Sequence, residues 1–189
     1  MSQLKIIAIV GSLRKESYNL QLALAAKDIV DTRASFELLD YADVPLLNQE
    51  IEFPAPASVR RVRDAVKSAN GIWIFTPEYN HSYPGVLKNL IDWLSRPASK
   101  EERQVLIRKP VAISGISPGM GGTVTAQDLL AMLLSMLNAD IMNVPRLAIP
   151  NAAQQTDENG KLKLTTSMPY LEKQADAFLS FLESRSAKI

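Results

Sequence analysis

Residues 4–19 read Leu4-Lys5-Ile6-Ile7-Ala8-Ile9-Val10-Gly11-Ser12-Leu13-Arg14-Lys15-Glu16-Ser17-Tyr18-Asn19. Leu4–Val10 is a near-continuous apolar run of strand length, the pattern of a strand buried on both faces. A polar loop with one glycine follows, and Ser17 is placed to cap a helix over Tyr18–Val30. A strand, a glycine turn and a capped helix in succession open an alternating α/β chain.

The alternation continues outward from there. Phe36–Leu39 reads as a second short strand. Val59, Val62, Val66 and Ala69 recur at helical spacing and stop at Asn70-Gly71. Gly71–Phe75 is a third strand, and the helix after Pro84-Gly85 places Leu87, Leu90, Ile91 and Leu94 on one face. Val111–Ser114 is a fourth strand. Thr125–Leu137 is a helix whose Thr125…Asp128 pairing resembles a capping box. A fifth strand falls within Ile141–Ile149, interrupted by Pro145. The last helix starts near Pro169 and buries Leu171, Ala175, Phe178 and Leu182. Five strand–helix units predict a parallel sheet with helices on both faces, in one domain over residues 1–189. Asn151–Leu164 reads as a polar surface excursion with a turn at Glu158-Asn159-Gly160-Lys161.

Bulk composition narrows the function. The 189 residues are 47% hydrophobic and 22% charged, ordinary for a folded domain with a sizeable core. Lysine and arginine number 21 against 20 acidic residues, a net charge of +1. That balance argues against nucleic acid as the main partner and against a small electron carrier with an acidic docking face. There is no cysteine, so disulfide and thiolate chemistry are excluded. Ile6–Val10 is too short for a signal-peptide core, and Leu129–Leu137 falls far below the roughly 20 apolar residues that span a bilayer. The expectation is a cytoplasmic protein with no membrane partner.

In an open α/β sheet, ligands bind beyond the carboxyl ends of the strands. Three loops therefore matter. The first, Gly11–Asn19, leads into a helix N-terminus that favours an anion, with Ser12, Ser17 and Asn19 as neutral donors and Arg14 as a charged fork. It reads either as a phosphate cradle or as a hydroxyl-rich turn with a capped helix. Neither G-x-G-x-x-G nor a P-loop is present. The second, Thr76–Gly85, is dense in aromatics, amides and turn formers, and prolines stiffen both ends. It offers a backbone edge and apolar surface to a planar heterocycle, or is a tight connection with buried tyrosines; Asn80 bonds ring heteroatoms or braces the turn. The third, Ser114–Thr123, has glycines that permit close approach and serines that donate. His81, the single histidine, follows no late strand and there is no G-x-S-x-G elbow, which argues against a hydrolase. No metal-ligand spacing accompanies it.

Two motifs together, Gly11-Ser12-Leu13-Arg14…Ser17…Asn19 and Thr76-Pro77-Glu78-Tyr79-Asn80…Ser82…Pro84-Gly85…Leu87-Lys88-Asn89…Ile91-Asp92-Trp93…Ser95-Arg96, resemble the NADPH-dependent FMN reductase family. This is a flavodoxin-like group of chromate, quinone and azo-dye reductases. The resemblance spans essentially the whole chain and implies a three-layer α/β sandwich with a five-stranded parallel sheet in the order 2-1-3-4-5. It implies FMN as cofactor and NADPH, or NADH, as co-substrate, with hydride passing through the flavin to a small acceptor. Ser12, Arg14, Ser17 and Asn19 would ring the phosphate, with Tyr18 and Leu20 beside them. Pro77, Glu78, Tyr79, Asn80 and Ser82 would line the ring, backbone donors from Glu78–Asn80 steadying its reduced form. Ser114, Gly115 or Ser117 would close the far side. No catalytic side chain and no metal is implied. A homodimer or homotetramer is, with the third helix near an interface and Lys88, Asn89, Asp92 and Arg96 as bracing or interface groups. His81 and Ser117-Pro118-Gly119 depart from the family pattern beside the acceptor pocket. The alternatives are a flavodoxin-like electron carrier without turnover and a binder of another phosphorylated molecule.

Overall fold

The computed structural model describes residues 3–99 and 101–186. The elements run β1 (Leu4–Val10), α1 (Tyr18–Val30), β2 (Ala34–Leu38), α2 (Ala57–Ser68), β3 (Gly71–Phe75), α3 (Gly85–Leu94), β4 (Pro110–Ile116), α4 (Val124–Met136), β5 (Asp140–Ile141), β6 (Leu147–Ile149) and α5 (Met168–Ser186). Every strand pair is parallel, in the order β2-β1-β3-β4-β5, and β6 also lies beside β4. This is the flavodoxin-like order.

Alternate residues of a strand face opposite ways, so the continuous apolar runs feed two cores. Ile6, Ala8, Val10, Trp73 and Phe75 pack beneath α1 and α5, against Leu22, Ala26, Leu171 and Phe178. Ile7, Ile9, Ile72 and Ile74 face Val62 and Val66 of α2, Leu87 and Leu90 of α3, and Leu130 and Leu134 of α4. Glycine is required where α5 crosses β3: a Cβ on Gly71 would lie 2.5 Å from Leu182 Cδ2.

The fifth strand is split in two. Asp140–Ile141 pairs with Pro110–Val111, the chain leaves the sheet around Pro145, and Leu147–Ile149 rejoins along Ser114–Ile116. Proline has no N–H for the ladder, which suits the interruption. β2 begins two residues earlier than expected, and β4 extends at both ends. The expected capping box on α4 is not formed: Thr123 holds the N-cap position, and Asp128 pairs with Arg146 at 2.7 Å. Residues 151–164 are more than a surface excursion, since Ala152 and Leu164 are buried in the α1–α5 core. Gln21 Oε1 accepts from the Leu162 N–H (2.8 Å) and ties the segment to α1.

The segment between β2 and α2 is clamped onto α3. Asn89 donates to the Pro45 carbonyl (2.9 Å) and accepts from the Leu47 N–H (2.8 Å), and the Trp93 indole donates to the same Pro45 carbonyl (2.8 Å). Arg96 grips Glu52 through two bonds of 2.8 and 3.1 Å. Asn89 and Arg96 are therefore braces, and Lys88 pairs along the helix with Asp92. Arg63 lies buried alongside, donating to the Trp93 carbonyl, with Nη1 unpartnered. Burial lowers its pKa, and the Glu52 charge opposes that shift. Glu52 thus balances two guanidinium groups. Glu52→Ala should destabilise the fold by about 3 kcal/mol, the low end for a broken buried pair because Arg96 is partly exposed. The shift in urea-unfolding midpoint measures it.

Candidate functional site

The carboxyl edge of the sheet is stitched together by backbone bonds. Gly11 N–H donates to the Phe75 carbonyl (2.8 Å), and Thr76 N–H to the Ser114 carbonyl (2.9 Å). Ser117 N–H donates to the Ile149 carbonyl (3.1 Å). The loops after β1, β3 and β4 consequently sit side by side, as the strand order requires.

The first loop runs into the capped N-terminus of α1. Ser17 caps α1, its hydroxyl accepting from the Asn19 N–H at 3.2 Å, while Ser12 Oγ accepts from the Arg14 N–H at 3.3 Å. The amides of Tyr18 and Leu20, in the first turn, have no intrahelical acceptor and point out of the helix end with its positive dipole. Arg14 is exposed, its guanidinium 5.7 Å from the centroid of the Tyr18 ring. Behind the loop, the buried Tyr41 hydroxyl donates to the Val10 carbonyl (2.5 Å), and burial raises its pKa well above the usual phenol range.

Asn19 departs from its expected role as a phosphate donor. Its side chain is 2% exposed; Nδ2 donates to the Ile116 carbonyl (2.9 Å) and Oδ1 accepts from the Ile116 N–H (3.1 Å). Both ends of the amide tie α1 to the main chain of Ile116 in β4.

The second loop is a rigid hairpin. Tyr79 and Ser82 exchange backbone bonds of 2.9 and 3.0 Å around Asn80 and His81, both left-handed with φ of 50° and 59°. That is the backbone of a two-residue primed turn, in which asparagine is favoured. The Tyr79 amide is therefore committed within the hairpin, and the amides of Glu78 and Asn80 remain. Pro77 is buried, and Tyr79 presents half of its surface to solvent. The Glu78 carboxylate lies against α4, Oε2 accepting from the Ala126 N–H at 3.0 Å, and His81 Nδ1 lies 3.6 Å from Oε1.

The third loop contributes less side chain than expected. Ser114 turns into the core, accepting from the Trp73 indole (2.7 Å) and donating to Gln174 Oε1 (2.5 Å), so its hydroxyl does not reach the edge. Gly115 lies within β4, where a Cβ would sit 2.2 Å from the Thr76 carbonyl. The Ser117 hydroxyl donates to the Gly122 carbonyl (2.5 Å) and closes its own loop. Sequence reasoning missed Gln174, which also donates to the Ile113 and Pro145 carbonyls, and Gln127, which donates to Thr123 Oγ1 and the Leu147 carbonyl. A glutamine at the core-facing spacing of an otherwise apolar stripe was the signal available. Among the described residues no cluster of histidine and carboxylates is fit to hold a metal, and no helix is long and apolar enough to cross a membrane.

A capped helix N-terminus beside a stiff backbone edge, on the carboxyl side of this sheet, defines a flavodoxin-like mononucleotide-binding protein. The NADPH-dependent FMN reductase family model matches residues 4–154. The chain is 37% identical to a 2-hydroxy-1,4-benzoquinone reductase of Burkholderia sp., over 96% of this chain and 98% of that one. It is 35% identical to a quinone reductase of Pseudomonas putida, over 99% and 100%. FerB, a flavoenzyme NAD(P)H:(acceptor) oxidoreductase from Paracoccus denitrificans, superposes with a TM-score of 0.86 at 33% identity, covering 96% of this chain and 98% of FerB. The chain belongs to the NADPH-dependent FMN reductase family and is a flavin-dependent oxidoreductase.

The Asn19 geometry has a measurable consequence. Asn19→Ala leaves a buried N–H and C=O of Ile116 unpaired, at about 1–3 kcal/mol each. The cofactor-free protein should lose about 2–4 kcal/mol of unfolding free energy in urea. A residue that only contacts phosphate would leave that value unchanged.

Proposed function

We propose that this protein, acting as one domain over residues 1–189, reduces small quinones with NAD(P)H, using FMN held on the carboxyl edge of its sheet. The observation that carries the reading is the pairing, on one edge, of the capped α1 N-terminus with the Tyr79–Ser82 hairpin. The donor set fits the cofactor: a phosphate monoester suits Arg14, the Ser12 and Ser17 hydroxyls and the amides of Tyr18 and Leu20. Pro77, Tyr79, Asn80 and Ser82 would border the ring, with the Glu78 and Asn80 amides as backbone donors. The main chain of Gly115 and the loop that Ser117 braces would close the far side.

FMN bound there supplies the two-electron chemistry between nicotinamide and quinone. The protein's part is to hold it still, keep one face open and place neutral donors where charge develops. No acid–base dyad is needed. The related benzoquinone and quinone reductases support a quinone as the acceptor class.

The family resemblance also implies a homodimer or homotetramer, and we place its interface on α4 rather than α3. The outer surface of α3 is partly covered by the Pro45–Glu52 segment, whereas α4 exposes Val124, Met132 and Met136. An apolar outer helix face fits a second copy. A cytoplasmic site of action matches the need for reduced nicotinamide.

Purified protein should show flavin absorption, or gain it on adding FMN, and bleach on anaerobic addition of NADPH. Protein that shows no flavin absorption and binds no added FMN would overturn the proposal. Arg14→Ala should weaken FMN binding roughly ten-fold or more, the loss of one charged hydrogen bond. Met132→Glu with Met136→Glu should shift the protein to monomer in sedimentation velocity.

A further inference from the structure

Helix α4 begins without a cap of its own. Thr123, at the N-cap position, makes no side-chain bond to a helix amide; its Oγ1 accepts from Gln127 Nε2 at 2.9 Å. The Ala126 N–H, third in the helix, instead donates to Glu78 Oε2 at 3.0 Å, from a residue 48 positions earlier. A carboxylate at that end also meets the positive end of the helix dipole. The Glu78 side chain is 15% exposed, so the bond is largely shielded from water. The His81 imidazole, 3.6 Å from the other oxygen, is 89% exposed and adds little.

Both ends of this bond belong to the proposed site. Glu78 is followed directly by the Tyr79–Ser82 hairpin, whose left-handed residues fix its shape. Ala126 is in the first turn after the Ser117–Thr123 loop, which exposes Met120 and has Gly121 where a Cβ would meet nothing within 4 Å. One charge-assisted hydrogen bond therefore joins the loop after β3 to the helix that anchors the loop after β4. We propose that Glu78 is a positioning residue: by clamping the ring-bordering hairpin to the N-terminus of α4, it fixes the width of the slot that admits the quinone. This rests on the flavin and quinone assignment made above. Without the clamp the Ser117–Thr123 loop loses its tie to the rigid hairpin, and the slot widens.

The test compares Glu78→Gln, whose amide oxygen still accepts from Ala126, with Glu78→Ala and the similarly long Glu78→Met, which do not accept. In the cofactor-free proteins, amide exchange at Ala126 should be roughly five-fold faster in the Ala and Met variants than in wild type or Glu78→Gln, as for a lost helix cap. In the FMN-loaded proteins, KM for 1,4-benzoquinone should rise roughly five-fold in the same two variants, with kcat changing less than two-fold and Glu78→Gln rescuing it. Unchanged exchange at Ala126 would show that there is no clamp. Faster exchange with unchanged KM would leave a helix cap and overturn the slot. Wild-type protein that binds no FMN would overturn the flavin assignment, and the slot with it, whatever the exchange rates show. Glu78→Met covers the case in which the Ala variant does not fold.

Discussion

The central strands of the sheet are buried on both faces, and that constraint governs where chemistry can occur. β3 and β4 have no solvent side, so their side chains are apolar or, like Ser114, buried and hydrogen-bonded internally. Reactive polar groups are displaced to the strand ends. At the carboxyl edge the helices begin, and their first amides lack partners. Binding capacity there follows from the backbone before any side chain is considered. The links Gly11 to Phe75 and Thr76 to Ser114 extend the sheet's own pairing past the strands, so the site loops inherit the rigidity of the core.

The same burial explains why several residues with ligand chemistry serve as braces. A polar group removed from water needs a partner, and one left unpaired costs about 1–3 kcal/mol. Asn19 and Glu78 meet that requirement on backbone groups of neighbouring elements, and Ser117 on its own loop. Their engagement tracks their burial. The side chains of Ser12, Arg14, Tyr79 and Asn80 are less buried. Buried polar residues hold the edge in shape.

This division marks how far the sequence could be read. The limits of β1 and β3 and the start of α1 were legible because apolar runs end abruptly at Gly11 and Thr76 and Ser17 caps the helix, where local grammar and tertiary structure agree. The edge strand was not, since two residues of pairing on one side of Pro145 and three on the other carry little periodic signal. Strand order alone points to the carboxyl edge, where we propose the site. Its division of labour was not legible, because residue type states which bonds a group can make and only the fold states with whom. The cap of α4 shows this well: Thr125…Asp128 fits the local pattern, yet the acceptor comes from Glu78, across the sheet edge. Gln174 was overlooked for the same reason, its partners lying on β4 and beside Pro145.

The braces also separate what can vary at the edge from what cannot. Asn19 and Ser114 are each held by two bonds within the core, so a change at either disturbs the sheet before it disturbs a ligand. Tyr79 and His81 are different. Their side chains project into solvent from a hairpin whose shape is set by its own backbone bonds and by left-handed residues. A new side chain at His81 alters the solvent-facing tip of the hairpin while the supports beneath stay intact, provided that it tolerates a positive φ. Differences in acceptor choice between members of such a fold are therefore expected at this hairpin tip and in the glycine loop opposite, where variation is physically cheap. Change at the N-terminus of α1 is costlier, because its shape is tied through Asn19 to β4.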